Sequence, residues 1–185
     1  MNKIQRSEIL SSTEYEKQRE DLRHEIIHIK RDRRVHLGQN LTLLFENRMT
    51  VRYHIQEALR TERNVDETIL HRELSHYNEL IGSRGELGCS LLVEIDETTQ
   101  HGLLLSEWMD VPHRIYLKTK RGQKIPVQYD ANKPKEKMVH GVHHLLFKIG
   151  DDIPVCVGCD HPGVHVEVQL LPAQVMALTE DLKSS

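Results

Sequence analysis

The stretch GSRGELGCSLLVEI, residues 82–95, decides the fold, because the spacing of apolar residues changes within it. Before it, apolar side chains recur every three or four residues, as at Leu70 and Leu74, which is the spacing of one helix face. Three glycines then interrupt the helical pattern, and the apolar run at 89–95 is typical of a buried strand. The chain therefore changes from helix to sheet at this point.

Upstream of this change the sequence predicts about three helices. A capping-box spacing at 11–14 opens a first helix, which is expected to run from near residue 13 to near 36. The segment LTLLF at 41–45 is expected to lead into a second helix, and a capping-box spacing at 64–67 opens a third.

Downstream the sequence predicts strands joined by hairpins. One hairpin is expected at 114–130, about Arg121-Gly122, and another at 140–159, about the turn 150–152. The segment VHVEVQL at 164–170 alternates apolar and polar residues, which predicts a further strand. A short helix is expected between Thr99 and Met109.

Helices first and hairpin-joined strands afterwards predict an α+β fold. An amino-terminal helical half of about three helices packs on a mostly antiparallel sheet, and a carboxy-terminal helix from Pro172 to about Leu182 closes the fold. The length of 185 residues suits a single domain, 1–185, with the helical half at about 12–82 and the sheet-rich half at about 88–183.

Composition excludes several classes of protein. Charged residues make up 29% and hydrophobic residues 38% of the chain, which is typical of a soluble globular protein, and its apolar runs are too short to span a bilayer. The amino terminus lacks the apolar segment of a signal peptide, so we expect a cytoplasmic protein with reduced cysteines. A net charge of −3 and 4% aromatic residues give no reason to expect a nucleic-acid partner.

The pentapeptide HEIIH at 24–28 has the His-Glu-x-x-His spacing of a zinc peptidase helix. On a helical wheel, His24 and His28 lie roughly 200° and 240° from Leu22, which belongs to the apolar stripe. The cationic KRDRR that follows also opposes the binding of a divalent ion. We therefore expect the motif to face solvent and to hold no zinc.

A denser group of metal-ligand side chains lies near the carboxy terminus. Cys156 and Cys159 form a Cys-x-x-Cys that is followed by His161 and His165, a Cys2His2 set for zinc, and the predicted hairpin adds His143 from the neighbouring strand. Two interpretations stay open. Either a turn between the cysteines brings both thiols to one metal, or the cysteines are small core residues and the histidines face solvent.

The second helix and its approach carry many polar residues. The candidates for a polar site are Glu46, Asn47, Arg48, Gln56, Glu57 and Arg60. They either form an ion-pair network that fixes helix packing or line a site, and alternating charges on a helix favour the network. The sequence contains no nucleophile elbow, Walker loop or dinucleotide motif, so no catalytic residue is assigned.

Three short stretches carry a resemblance that covers nearly the whole chain: FENR at 45–48, IQE at 55–57 and DHP at 160–162. In them the chain resembles a bacterial family that is catalogued only as a domain of unknown function. Genes of that family often lie beside those for rubrerythrin and an iron–sulfur oxidoreductase. The resemblance implies an accessory protein of a redox or peroxide-defence system and points to Asp160 and His161 as further polar-site candidates.

Two functional hypotheses follow. The first is a non-catalytic accessory protein that binds a protein partner, namely a rubrerythrin-like protein or an iron–sulfur oxidoreductase. The second is a metal-binding protein or metalloenzyme that uses the carboxy-terminal His/Cys cluster, with zinc or iron as the metal. The substrate, the identity of the partner and the oligomeric state, including a homo-oligomer, stay open.

Overall fold

The structure is a computed structural model that describes residues 3–62, 64–94, 108–128 and 142–184. Its fold is α+β, as predicted. The helices are α1 (Ser12–Arg31), α2 (Arg48–Thr61), α3 (Glu67–Asn78) and α4 (Pro172–Lys183). The strands are β1 (Arg34–Leu37), β2 (Leu41–Glu46), β3 (Glu86–Val93), β4 (Ile115–Thr119), β5 (Lys124–Pro126), β6 (Val142–Lys148), β7 (Pro154–His161) and β8 (Val164–Gln169).

The strands form two four-stranded antiparallel sheets, in the orders β1-β2-β3-β6 and β5-β4-β7-β8. Alternate residues of both sheets, such as Phe45 and Val157, enter one shared apolar core, because successive side chains of a strand point to opposite faces. Gln128 pairs with Leu146 and so joins the edge of one sheet to the segment after β5.

Helices α1 to α3 lie over the outer face of the first sheet. A second apolar cluster, which includes Val51, Ile55, Leu70 and Leu74, joins α2 to α3. The backbone of Leu80, just after α3, passes so close to Gly88 of β3 that a Cβ atom there would lie 1.7 Å from the Leu80 carbonyl oxygen. This close approach requires glycine.

Helix α4 closes the main core from the carboxy-terminal side. Leu178 and Leu182 are buried in that core. On the polar side, the Arg33 guanidinium donates to both carboxylate oxygens of Asp181, at 2.8 and 3.0 Å, and both side chains are about one-tenth exposed. The pair ties α4 to the start of β1.

The first helix ends earlier than predicted, whereas 41–45 leads into the second helix as predicted, in the form of strand β2. Helix α1 stops at Arg31, and a hairpin of β1 and β2 about Gly38 follows. Gly38 has φ of 66°, which suits glycine, and β1 buries Val35 and Leu37 in the main core. Burial of these two side chains in the main core thus outweighs the helical spacing of the local sequence. The third helix begins at Glu67, and its cap is Asp66.

The hairpin predicted at 140–159 is wrong. β6 pairs with β3, whereas β7 pairs with β4 and β8, so the two strands belong to different sheets. The reason lies at the turn, where the backbone N–H groups of Ile149 and Gly150 both donate to the Gly85 carbonyl. The turn thus docks on the chain before β3, and the register places His143 opposite Leu91, not opposite Cys159.

The other predictions for the sheet half fared better. The hairpin about Arg121-Gly122, the strand at 164–170 and the closing helix are confirmed as β4–β5, β8 and α4. Most of the helix expected at 99–109 lies outside the described residues. Where the description resumes, Trp108–Arg114 forms a 3-10 helix. Among the helices of the described ranges, none combines the length and apolarity needed to cross a bilayer.

Candidate functional site

The candidate site lies where the outer face of the first sheet meets the helices. The main core contains Phe45 of β2 and Cys89 of β3. Because side chains alternate along a strand, the next residues, Glu46 and Ser90, point to the opposite face, toward the helices. His144 of β6 is the cross-strand partner of Ser90. The sheet therefore presents a carboxylate, a hydroxyl and an imidazole to the helical layer.

The junction of β2 and α2 builds the other side of the site. Asn47 caps α2, since its side-chain oxygen accepts from the backbone N–H groups of Met49 and Thr50 at 3.0 Å each. This cap turns the chain so that Thr50 and His54, one helical turn apart, stand over the Glu46 carboxylate.

Glu46 is a buried carboxylate with three polar neighbours. Only 3% of the surface of Glu46 is exposed to solvent. Thr50 Oγ1 donates to Oε2 at 2.5 Å, Ser90 Oγ donates to Oε1 at 2.8 Å, and His54 Nε2 lies 3.3 Å from Oε1. Burial alone would raise the pKa of Glu46, but these neighbours, His54 first, hold it below its ordinary value. The group is therefore an ionised carboxylate at neutral pH.

His54 is held from both sides. Its Nε2 atom is buried against the carboxylate, while its side chain keeps 27% of its surface exposed. Among the described residues neither ring nitrogen has a partner in strict hydrogen-bond geometry, and because Nε2 is buried, the exposed part of the side chain lies away from that atom. A carboxylate beside one nitrogen favours the proton on that nitrogen, which leaves Nδ1 as a lone-pair acceptor.

A continuous row of aromatic and imidazole rings extends from His54; we call it the ring row. The His54 ring stacks on Tyr77 with centroids 5.8 Å apart and planes 6° apart. The Tyr53 ring lies edge-on to His54, with the two centroids 6.5 Å apart. Tyr77 in turn contacts His76 at 5.0 Å, and His76 contacts His144 at 4.7 Å. Burial raises the pKa of Tyr77, so its phenol is neutral.

Lys30 stands at the Tyr53 end of the ring row. Its ammonium nitrogen lies 5.4 Å from the Tyr53 ring centroid. Although α1 is a surface helix, Lys30 is half-buried. Burial, with the help of Arg34, lowers the pKa of Lys30 although Glu46 acts in the opposite direction.

The other polar candidates on α2 make structural contacts away from Glu46. The Gln56 side chain is buried, and it accepts from the Leu10 backbone N–H at 2.6 Å. The Arg48 guanidinium pairs with the Glu8 carboxylate. Both contacts fasten the amino-terminal segment to α2.

The contacts of Glu57 and Arg60 join α2 to α1. Glu57 accepts from Tyr15 Oη at 2.7 Å and from both Nε and Nη2 of Arg19, at 2.8 and 3.0 Å. Arg60 Nε donates to Glu16 at 2.7 Å. Arg19 is the main cause that lowers the pKa of Glu57. The arrangement is the ion-pair network that the sequence analysis favoured, so of the candidates on α2 and its approach, Glu46 is the one that lies in the site.

Asp160 and His161 lie at the β7–β8 turn of the second sheet, and the structure does not bring them to Glu46. The Lys124 ammonium pairs with Asp160, and His165 Nδ1 lies 3.8 Å from the same carboxylate. His161 Nδ1 accepts from the Gly163 backbone N–H at 3.2 Å. These contacts fit a turn whose polar side chains stabilise the hairpin.

The two thiols of the predicted zinc set lie on opposite faces of β7, which is continuous across them. Cys159 is in the main core, whereas Cys156 lies beside Glu167 on the outer face. Burial, with Glu167 as a further cause, raises the pKa of Cys156 to about 11, and burial also raises that of Cys159. Across the described ranges, no three His, Cys, Asp or Glu side chains are placed to hold one metal ion.

The HEIIH motif faces solvent. His24, Glu25 and His28 are exposed on α1, while Ile26 between them is buried. This is the orientation that the helical wheel predicted.

Glu46 is among the residues that the sequence indicated, but most of the side chains around it are not. His54, Ser90, Tyr77, His144 and Lys30 come from five different elements, and no linear motif joins them. One local signal was available: a cap at Asn47 places Thr50 and His54 on the side of α2 that follows β2. The remaining partners depend on strand register and helix packing.

A family described as "Protein of unknown function (DUF3501)" matches residues 3–182. A solved structure titled "Crystal structure of novel protein of unknown function from Burkholderia pseudomallei K96243" has a TM-score of 0.89 and 26% sequence identity, and the match covers 98% of this chain and 100% of that one. No curated protein matches at the threshold applied. The resemblance to an uncharacterised bacterial family is confirmed at the level of the family; the gene neighbourhood stays an expectation.

Proposed function

Since this chain belongs to the DUF3501 family, whose description states no activity, we propose an activity from its own geometry: Glu46 and His54 form an acid–base site that binds a small polar ligand and moves a proton to or from it. The observation that carries the proposal is the buried, ionised Glu46 carboxylate 3.3 Å from the buried Nε2 of His54, a histidine whose side chain is 27% exposed.

The roles of the two residues follow from this geometry. Glu46 orients the imidazole and favours the tautomer with the proton on Nε2, so that Nδ1 accepts a proton from a bound ligand. The negative charge of Glu46 then lies beside the imidazolium that forms. Because the pair is buried, solvent screens the attraction between these two charges less than it would for an exposed pair. Thr50 and Ser90 keep the carboxylate ionised when it is removed from solvent.

The ring row supplies walls for the ligand. Tyr77 stacked on His54 fixes the plane of the imidazole, and Tyr53 borders the same ring. Fixed orientation of the base is what proton transfer requires, because the acceptor nitrogen has to meet the proton at hydrogen-bond distance.

The proposal is tested first by imidazole nitrogen spectra. In the wild type, long-range proton–nitrogen correlations should show His54 with its proton on Nε2. In Glu46→Gln the two tautomers should become mixed, because the amide no longer selects Nε2. His24, exposed on α1, serves as the internal control and should not change.

A fragment screen by NMR then tests ligand binding. Small polar fragments that bind should shift resonances of His54 and Tyr77, and binding should weaken by about tenfold or more in His54→Asn but not in the matched surface variant His24→Asn. A screen in which no fragment perturbs His54, or in which His54→Asn binds as well as the wild type, would contradict the proposal.

A second candidate function is the accessory role in a bacterial redox or peroxide-defence system, with a rubrerythrin-like protein or an iron–sulfur oxidoreductase as partner. The observation that favours it is the ring row, since tyrosine and histidine side chains are those that exchange protons and electrons with redox groups. Purified partner and protein should form a complex on gel filtration, and Tyr77→Leu should weaken it. Separate elution of the wild type and partner would contradict this role.

A further inference from the structure

Lys30 differs from its neighbour Arg31 at the end of α1. Arg31, the next residue, has a side chain that is 72% exposed and pairs with its neighbour Asp32. Lys30 is instead half-buried, and its amine lies over the ring of Tyr53 on α2. Helix α1 thus brings the Lys30 amine next to one of the rings that border His54.

The surroundings of this amine lower its pKa on balance, with burial as the largest cause. Half-burial removes water from the ammonium, and Arg34 of β1 places a second positive charge nearby. Glu46 of β2 and Glu57 of α2 act in the opposite direction, and the Tyr53 ring attracts the ammonium as a cation–π partner. Desolvation next to another cation is the setting in which lysine amines become nucleophiles.

We propose that Lys30 is the nucleophile of this site and forms an imine with an aldehyde or ketone ligand that lies against Tyr53 and beside His54. The inference rests on the proposed acid–base role of His54 and adds the substrate class to it. Geometry supports it because the Lys30 amine and the His54 imidazole flank the same Tyr53 ring, at 5.4 and 6.5 Å from its centroid.

The chemistry balances without an oxidant or reductant. The unprotonated amine adds to the carbonyl carbon, a C–N bond forms, and the π electrons of the carbonyl move to oxygen, which gains a proton as nitrogen loses one. The hydroxyl group then takes up a second proton and leaves as water, so the C–O bond breaks and a protonated imine remains. His54 carries the first proton from nitrogen to oxygen through Nδ1, and the second proton, which the reaction consumes overall, comes from solvent through the same imidazole.

Reductive trapping tests the inference on the full-length protein. Glycolaldehyde, as the aldehyde, and pyruvate, as the ketone, are each mixed with the protein and sodium cyanoborohydride near neutral pH, and labelled lysines are identified by peptide mass spectrometry. Lys30 should be labelled several-fold faster than Lys17, which lies on the same helix and is exposed. Equal or slower labelling of Lys30 over the pH range 6 to 9 would overturn the inference.

Two variants test whether labelling reflects the reactivity of the Lys30 amine and not a change in folding or in the exposure of that amine. Lys30→Arg keeps the positive charge and the ring contact, so it should fold with an unchanged circular dichroism spectrum and lose only the label. His54→Asn should slow the trapping at Lys30 several-fold and leave Lys17 unchanged. An unaffected trapping rate in His54→Asn would show that the amine does not share a site with His54.

The two proposals fail in different ways. If Lys30 is not trapped preferentially but fragments still shift the His54 resonances, the carbonyl ligand is rejected. The acid–base site is then retained. Trapping at Lys30 that does not depend on His54, together with a failed fragment screen, rejects both the acid–base site and the shared mechanism.

Discussion

Glu46 shows how one residue can be ionised in a place that opposes charge. Its carboxylate is almost completely buried, and an isolated charge there would be costly. Two hydroxyl donors and an imidazole compensate for the lost water, so the charge is retained. HEIIH offers the opposite case, since its histidines and glutamate are exposed and lack such an enclosure.

Replacement of Glu46 by Gln should change both stability and its pH dependence. The amide leaves at least one hydroxyl donor without a charged acceptor, so the free energy of unfolding at pH 7 should fall by about 1–3 kcal/mol. Because the folded state lowers the pKa of Glu46, its contribution is complete above the ordinary value of 4.5 and is lost as pH falls through the folded-state value. Urea unfolding of wild type and variant at pH 7 and pH 3 measures this.

The difference between the two proteins should therefore shrink at low pH. Glu67→Gln is the matched control, because the carboxylate of Glu67 is on the surface and its ion pair with Arg6 is solvent-exposed. A gap between wild type and Glu46→Gln that is the same at both pH values would show that the carboxylate charge is not what stabilises the site.

Metal binding by the carboxy-terminal His/Cys set stays a prediction from the sequence, and it requires β7 to open between its two thiols. Elemental analysis of purified protein decides the matter, with Cys156→Ser, Cys159→Ser as the paired variant. Stoichiometric zinc or iron that is lost in the variant would support the metal site. Equal metal content in both proteins would reject it.

At the scale of elements, the turn from β2 into α2 sets the geometry of the site. The Asn47 cap begins α2 directly after Glu46, and this places Thr50 and His54 above the carboxylate. Helix α1 is held to α2 by Glu57 and its partners, and that contact brings Lys30 to Tyr53. Loss of a cap here should affect function as well as stability.

The two helix caps permit a matched comparison. Asn47→Ala and Asp66→Ala each remove a side-chain acceptor from the first turn of a helix, so each should lower the free energy of unfolding by about 1 kcal/mol. Only Asn47→Ala should disturb the His54 tautomer and weaken fragment binding, because α3 is capped away from Glu46. Equal effects of both variants on His54 would mean that general loosening, not the β2–α2 turn, controls the site.

At the scale of the whole molecule, a buried ion pair joins the start of the first sheet to the carboxy-terminal helix. Arg33 and Asp181 are far apart in sequence, yet their bidentate contact ties β1 to α4, and Gln174 adds a bond to the Arg34 carbonyl at 2.7 Å. The helical layer and the closing helix are thereby connected through the first sheet.

Breaking this pair from one side should be more harmful than replacing both residues. Asp181→Asn should lower the free energy of unfolding by about 3–5 kcal/mol, because the Arg33 charge is left buried without its counter-charge. The double variant Arg33→Met, Asp181→Leu should recover a large part of that loss. Thermal and urea unfolding measure both, and a double variant less stable than the single one would contradict the desolvation argument.

Much of the fold could be predicted because the signals are local. Alternation at 164–170, the turn at Arg121-Gly122 and the proline at the start of α4 each identify an element within a few residues. The β1–β2 hairpin was missed because its short strands follow a helical pattern without interruption. Neighbouring residues cannot show that Val35 and Leu37 will be buried by strands much later in the chain.

The sequence by itself determined the α+β class, the change of period at 82–95 and the outward orientation of HEIIH, because apolar spacing records which face of each element is buried. Only the tertiary structure decided that β6 and β7 belong to different sheets and that Glu46, His54 and Lys30 meet. Strand pairing and helix docking depend on contacts between distant segments, and period alone does not specify which segment will be the partner.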